Sequence, residues 1–376
     1  MTQDPSTRRP QTVALDARWF GGRGIGRYTE TLYLGLSEIL PGEVVRLSGQ
    51  ALAGGIRLRL PGYVLKEQLE IPLRATPRHF ELVHFTGGTA PILKPRSVVT
   101  IHDVMFLRAA RPRPPSARQF LGRLYRRVAF LTGTLSADHL IVVSAHVRDD
   151  LDKLFGRNLP PISVIREAPH PVFSRSTDSR ERTEALNLRR VTERGFFLHL
   201  GGTDPRKNTA TVLGAFAEFC RAGGRSDLVI TGLSSRSQST LTRDMPSGAR
   251  KRLHIGGFCP DADLVALLQS SVALVFVSSD EGFGLPAIEA MAAGAALIGS
   301  DIPAMREVAG DNALFVPPRD PVALRDAMLQ AESDDALLRR LRTNGPMRVE
   351  PTDYLRMAGQ TADVYRKLLD GVSSPP

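Results

Sequence analysis

The stretch that most constrains this chain is SSDEGFGLPAIEAMAA, Ser278 to Ala293. It follows the apolar run Val272–Val277, so the order is strand, glycine-bearing loop, helix, with Pro286 opening the helix. Proline is tolerated there because that amide has no intrahelical partner. The junction turns backbone N–H groups around Gly284, Leu285 and Ala287 outward at the positive end of a helix dipole, an anion site suited to phosphate. Gly282 and Phe283 complete the loop. Glu281 and Glu289 bracket it, the first on the loop and the second about one turn inside the helix. Two acids would repel a phosphate unless their task is to accept hydrogen bonds from hydroxyls on either side of it. A nucleotide sugar has that layout, with ribose on one flank of the pyrophosphate and the sugar on the other. The competing reading is that Glu289 complements the helix dipole and Glu281 is a solvated loop acid.

The same junction recurs along the chain. Thr12–Trp19 reads as a strand that ends in the loop Gly21-Gly22-Arg23-Gly24-Ile25-Gly26-Arg27, before a helical pattern through Tyr28, Leu32 and Leu36. The spacing of Gly22, Gly24 and Gly26 is not the dinucleotide fingerprint. The loop serves either close backbone approach to a phosphate, with Arg23 or Arg27 adding charge, or a tight turn. Further strands are expected at Val44–Leu47, Leu82–Phe85, Ser97–His102 and His139–Val143. Strands alternating with helices mean a parallel, doubly wound sheet, whose ligands bind at the carboxyl ends of the strands. His102, Asp103 and Ser144 fall at such ends. In the second half, Phe196–Leu200 runs into Gly201-Gly202-Thr203-Asp204-Pro205-Arg206-Lys207-Asn208, which puts two cations at a helix start where a diphosphate would lie. Asp227–Thr231 and Arg252–Ile255 are further strands. Gly257, Phe258 and Cys259 close the latter, where a base could be held.

A chain of 376 residues with 42% hydrophobic content holds two domains. The proline-rich crossing at Pro160–Arg175 and the charged patch Asp178–Arg194 put the boundary near 175. That gives 1–175 and 176–351, followed by a helix over Pro351–Leu369. The net charge of +10 fits an anionic surface or phosphorylated substrates, or simply an arginine-rich composition. Leu107–Phe130 is the most basic segment. From Ser116 it reads as a helix with Phe120, Leu121, Leu124, Tyr125 and Val128 on one face and Arg118, Arg123, Arg126 and Arg127 around it. It either covers the sheet or docks on anionic lipid. Nothing in the pattern supplies nucleic-acid machinery. The two acidic pairs, Asp150 with Asp152 and Asp261 with Asp263, read as helix caps or solvated faces rather than metal ligands. With no membrane-length apolar run, no signal-peptide core and two cysteines, the expected compartment is the cytoplasm.

Taken together, the Glu281-to-Glu289 pattern, the Gly201–Asn208 loop and Ile101-His102-Asp103 resemble the retaining nucleotide-sugar glycosyltransferases of family 4, over nearly the whole chain. The resemblance implies the GT-B fold, an α/β architecture of two facing Rossmann-like domains, with the last helix (352–376) crossing back onto the first. It assigns Glu281 to the donor sugar hydroxyls and Glu289 to the ribose. Arg206 and Lys207, with Gly202 and the amides near Gly284 and Leu285, would hold the diphosphate and stabilise the charge that grows on it as the glycosidic bond breaks. His102 would sit beside the sugar, and the Gly24–Gly26 loop would close over the phosphate. The donor is then a substrate, with no cofactor and no metal expected. The GIGRY segment and Lys66–Pro72, KEQLEIP, look most like bacterial mannosyltransferases of O-antigen or exopolysaccharide synthesis. They suggest GDP-mannose as donor and a saccharide, lipid-linked, as acceptor. Alternatives are a UDP-hexose donor, a GT-B epimerase, or a binding-only partner subunit. One departure is Glu167-Ala168-Pro169-His170-Pro171, where many members carry an Asn-Gly pair.

Overall fold

The computed structural model describes residues 13–51, 53–61, 63–76, 78–108, 117–188, 195–202, 204–233, 240–243, 245–349 and 353–370. Thr203, residues 109–116 of the basic segment, 189–194 of the charged patch, and 351, 352 and 371–376 around the expected crossing helix lie outside them. The chain forms two compact units: one up to Ala168, rejoined by Tyr354 onward, and one from Pro169 to Asp353. The change of unit precedes the expected 175. Phe173 is fully buried, and Gln269 of the second unit donates to the Arg175 carbonyl while accepting from Thr177.

The first unit is a seven-stranded sheet built from β1 (Val13–Asp16), β2 (Val44–Ser48), β3 (Ile56–Arg57), β4 (Leu82–Phe85), β5 (Ser97–Ile101), β6 (His139–Val142) and β7 (Ile162–Val164), in the order β3-β2-β1-β4-β5-β6-β7. Every pairing is parallel, with Val13 opposite Val44 on one side and Leu82 on the other. Helices cover parallel sheets on both faces, so their strands are short apolar runs, as in the wholly buried SVVTI of β5. Leu15, Leu82, Val98 and Ile141 meet Tyr28, Leu32 and Leu36 from the Ile25–Ile39 helix in one core. The last helix, Asp353–Asp370, adds Met357, Ala358, Ala362, Tyr365 and Leu369 to it. These two helices approach so closely at Gly35 that a Cβ there would meet the Ala358 Cβ at 2.7 Å.

The second unit repeats the plan with β8 (Phe196–Leu200), β9 (Asp227–Thr231), β10 (Leu253–Ile255), β11 (Ala273–Phe276), β12 (Leu297–Ser300) and β13 (Leu314–Val316), in the order β10-β9-β8-β11-β12-β13. Its core gathers Phe197, Phe216 and Phe219 with Val275 and Ile298. Strands β3, β7, β12 and β13 have no counterpart in the sequence expectations. They span two to four residues. In both units the strand order reverses once, between β1 and β4 and between β8 and β11. Ligands of open α/β sheets bind outside the carboxyl ends of the strands at such a reversal.

Candidate active site

The β8/β11 reversal brings together the two loops singled out in the second half of the sequence. Leu198 of β8 lies opposite Leu274 of β11, so the segments leaving both strands run side by side. They are bonded to each other: the Ser279 amide donates to the Arg206 carbonyl at 2.8 Å, and the Asn208 side-chain amide donates to the Val277 carbonyl at 3.1 Å. Beneath them the buried His199 bridges the Val275 carbonyl and the Thr209 hydroxyl, its pKa pushed down to about 4, by burial first. A neutral ring there locks the two strands without adding charge.

On this base, Pro205–Lys207 forms one 3-10 turn capped by Asp204, whose carboxylate accepts from the Arg206 amide and holds the guanidinium at 2.7 Å. The Lys207 ammonium donates to the Gly201 carbonyl at 3.1 Å. Its stem lies against Gly202, where a Cβ would stand 3.0 Å from Cδ, so glycine is what lets the lysine fold back over the strand end. Asn208 takes the left-handed conformation and starts the Thr209–Arg221 helix.

Across the reversal, the helix after β11 runs Leu285–Ala292, so Pro286 is its second residue rather than its first. Gly284 sits at φ 109°, a backbone that only glycine adopts without strain, and a Cβ there would stand 3.0 Å from Met305. One expected anion donor is lost: the Ala287 amide turns back onto the Gly284 carbonyl at 2.9 Å. Gly284 and Leu285 head the helix. Gly282 and Phe283 are buried, Glu281 is half-buried, and Glu289 is only 5% exposed. A carboxylate taken that far out of water is costly unless it is matched by polar groups. At the far side, the β9 and β10 ends are joined by the Gly232 amide donating to the Gly257 carbonyl, and Phe258 stands out at 70% exposure.

The same edge of the first unit is organised differently. Gly26 has a packing reason, since a Cβ would lie 2.2 Å from the Trp19 carbonyl oxygen. Gly24, at φ 63°, starts the Ile25–Ile39 helix with open space at its Cβ position. After β1, Arg18 joins two fully buried carboxylates, Asp16 at 2.6 Å and Glu67 at 2.8 Å. Glu67 also accepts from the Thr89 and Tyr125 hydroxyls. It belongs to KEQLEIP, whose Lys66–Glu70 part is a π-helical turn. Glu70 caps the Arg59 and Leu60 amides, so both glutamates of that segment serve as anchors. His102 follows β5, with Nδ1 at 2.7 Å from Glu167 and Nε2 at 2.8 Å from the Thr86 carbonyl. Burial lowers its pKa, but the bond and charge of Glu167, the Thr86 carbonyl and the charge of Asp103 outweigh this and leave it raised. Glu167, Thr86 and Tyr28 are absent from the sequence-based site. The signal for Glu167 is its place after β7, a three-residue strand with no counterpart in the sequence expectations.

The basic helix spans Ala117–Leu135 and does not bury its expected apolar face: Phe120, Leu121, Leu124 and Val128 are exposed, while Ala129 and Phe130 are buried. Leu65, Leu69, Leu73, Ile92 and Leu93 are exposed too. Gln68 connects the three segments by donating to the Tyr125 hydroxyl and accepting from the Ile92 amide. Of the acidic pairs, Asp152 is ion-paired with Arg148, Asp150 is buried near His146, and Asp261 and Asp263 lie in the first turn of the Asp261–Ser270 helix.

Two family descriptions fit the chain, one per unit: "Glycosyltransferase Family 4" over residues 45–168 and "Glycosyl transferases group 1" over 182–348. The chain belongs to the glycosyltransferases. It is 26% identical over 285 residues, 73% of this chain and 71% of the relative, to the O-antigen chain mannosyltransferase B of Escherichia coli. Its fold is that of sucrose-phosphate synthase from Thermosynechococcus elongatus, at a TM-score of 0.75 and 20% identity, covering 96% of this chain and all of that one. HepE of Anabaena, solved in complex with UDP-glucose, matches at a TM-score of 0.72 and 14% identity over 94% of this glycosyltransferase and 99% of HepE. The GT-B expectation therefore holds, including the return of the terminal helix to the first unit.

Proposed function

We propose that this glycosyltransferase moves a hexose, mannose from GDP-mannose, onto a saccharide or lipid-linked saccharide acceptor in cell-surface polysaccharide synthesis, with retention of the donor's α configuration. The observation that carries the donor site is the pairing of the Arg206–Lys207 turn with the Gly282–Leu285 loop at the β8/β11 reversal. Two cations and a helix N-terminus share one sheet edge, and a carboxylate-bearing residue lies on either side of the loop. In this reading Arg206 and Lys207 stabilise the departing diphosphate, Glu281 orients the sugar and Glu289 the ribose, and Phe258 lies beside the base. Charge neutralisation by side chains makes a metal unnecessary. Mannose is supported by the O-antigen mannosyltransferase relative. A UDP-hexose is the second reading, favoured by the UDP-glucose complex of a structural neighbour.

The test is transfer from GDP-mannose and from UDP-glucose, in EDTA, with the product's anomeric configuration read by NMR. An α-linked mannoside formed equally well with and without metal supports the reading. A β-linked product, or strict metal dependence, contradicts it.

The exposed face of Ala117–Leu135 supports an anionic membrane surface as the place of work. That helix carries four arginines and no acidic residue, and basic side chains contribute about 1 kcal/mol each near anionic lipid. No helix among the described residues is long and apolar enough to cross a membrane, so contact would be peripheral. Replacing Arg123, Arg126 and Arg127 with Ser should weaken sedimentation with phosphatidylglycerol vesicles. Unchanged sedimentation would remove the membrane from the reading.

A further inference from the structure

The surroundings of His102 fix its protons by geometry. Nε2 faces the Thr86 carbonyl oxygen at 2.8 Å, a group that can only accept, so Nε2 carries hydrogen. Nδ1 faces a Glu167 oxygen at 2.7 Å, and a carboxylate too can only accept. A neutral ring would set its Nδ1 lone pair against that oxygen. The ring is 14% exposed and the carboxylate 7%, so little solvent relieves such a clash.

The remaining neighbours hold the ring still without competing for its protons. Tyr28 from the Ile25–Ile39 helix stands edge-on to it, with centroids 4.7 Å apart, and its hydroxyl is bonded to Thr100 of β5 at 3.1 Å. Thr100 also meets His84 of β4, whose other ring nitrogen meets the Tyr365 hydroxyl of the terminal helix. Burial, then the charge of His102, pushes the His84 pKa down to about 3, and burial raises that of Tyr28, so both are neutral. Asp103, next in sequence, adds negative charge. The charged groups facing His102 are thus Glu167 from the end of β7 and Asp103 from its own loop.

We propose that Glu167 is a positioning residue for transfer: it holds His102 in one orientation with a proton on each ring nitrogen, so the end of β5 presents an imidazolium rather than a base. This rests on the glycosyltransferase reading and adds to it that His102 does not take the acceptor's proton. Loss of its second proton would leave the His102–Glu167 pair with a net negative charge at the end of β5, and the transfer that depends on the imidazolium should fall at alkaline pH.

The experiment compares wild type with Glu167→Gln, which keeps an acceptor at Oε1 and removes the charge. In wild type, 15N NMR at pH 7 should show both His102 ring nitrogens protonated, and the alkaline limb of kcat/KM should lie above the ordinary histidine range near 6.5. In Glu167→Gln the second proton should be lost, and the limb should move, at least about one pH unit lower. Glu167→Asp should recover part of that shift, and in a His102→Asn background Glu167→Gln should change the profile no further. An activity loss in Glu167→Gln that is equal at every pH, or a wild-type His102 that loses its second proton near pH 6.5, would overturn the proposal. If wild type transfers nothing from any donor, the transferase reading fails, and the NMR titration still decides the state of His102.

Discussion

The two units share a strand order but use the same sheet edge in opposite ways. At the β8/β11 reversal, Lys207 folds over a glycine and Gly284 takes a positive φ, so backbone and cation line an edge suited to an anion. At the edge of the first unit, charges are bonded to other side chains of that unit: Arg18 to Asp16 and Glu67, His102 to Glu167. A parallel α/β sheet therefore supplies a place for ligands, and the residues at the strand ends decide what chemistry occupies it. One edge turns backbone and a lysine toward the space an anion could fill, while the other holds its own polar groups rigid.

If that contrast is right, substitutions at the two edges should separate catalysis from stability. The largest effect is expected at the second unit. Lys207→Ala should lower kcat/KM by about 10²-fold or more, as for removal of a group that stabilises transition-state charge, and Glu281→Ala should lower it by about as much through loss of sugar positioning, with the melting temperature unchanged in both. Near-wild-type turnover would remove either residue from the site. Next is Tyr365→Ala in the terminal helix. This side chain is buried and bonded to His84, so its truncation should cost about 3–5 kcal/mol. Trp19, the single tryptophan, lies in the first unit and reports that unfolding by fluorescence. Nucleotide affinity of the second unit should be unaffected, and a parallel loss would mean the units are not separable. Smaller is Gly26→Ala, whose new methyl would run into the Trp19 carbonyl and should cost about 1–3 kcal/mol by overpacking. Activity lost without stability would return Gly26 to a ligand role.

The sequence made the second unit's site the more legible. Glycines, cations and proline sit there within short, contiguous loops that directly follow the expected strands at Phe196–Leu200 and Val272–Val277, so local pattern and candidate site coincide. The first unit's edge joins residues far apart in the chain, as in Arg18 with Glu67 and His102 with Glu167, and no local spacing reveals those pairs. Glu67 lay inside a recognised segment, but its burial depends on a π-helical turn that periodicity does not forecast. The exposed face of the Ala117–Leu135 helix was visible as an apolar stripe, and only the fold could tell whether the sheet covered it. Ala287 failed as a free donor because the first helical turn closed on the Gly284 carbonyl, a choice of backbone geometry rather than of sequence.

The most direct measurement is calorimetric titration of the purified protein with GDP, UDP and ADP and with their sugars, in EDTA. Preferential binding of one nucleoside diphosphate, weakened at least about tenfold, or roughly 1.4 kcal/mol, by Lys207→Ala, is the expected result. Absence of binding by every nucleotide, or equal binding by the variant, would contradict the assignment of the β8/β11 edge as the donor site.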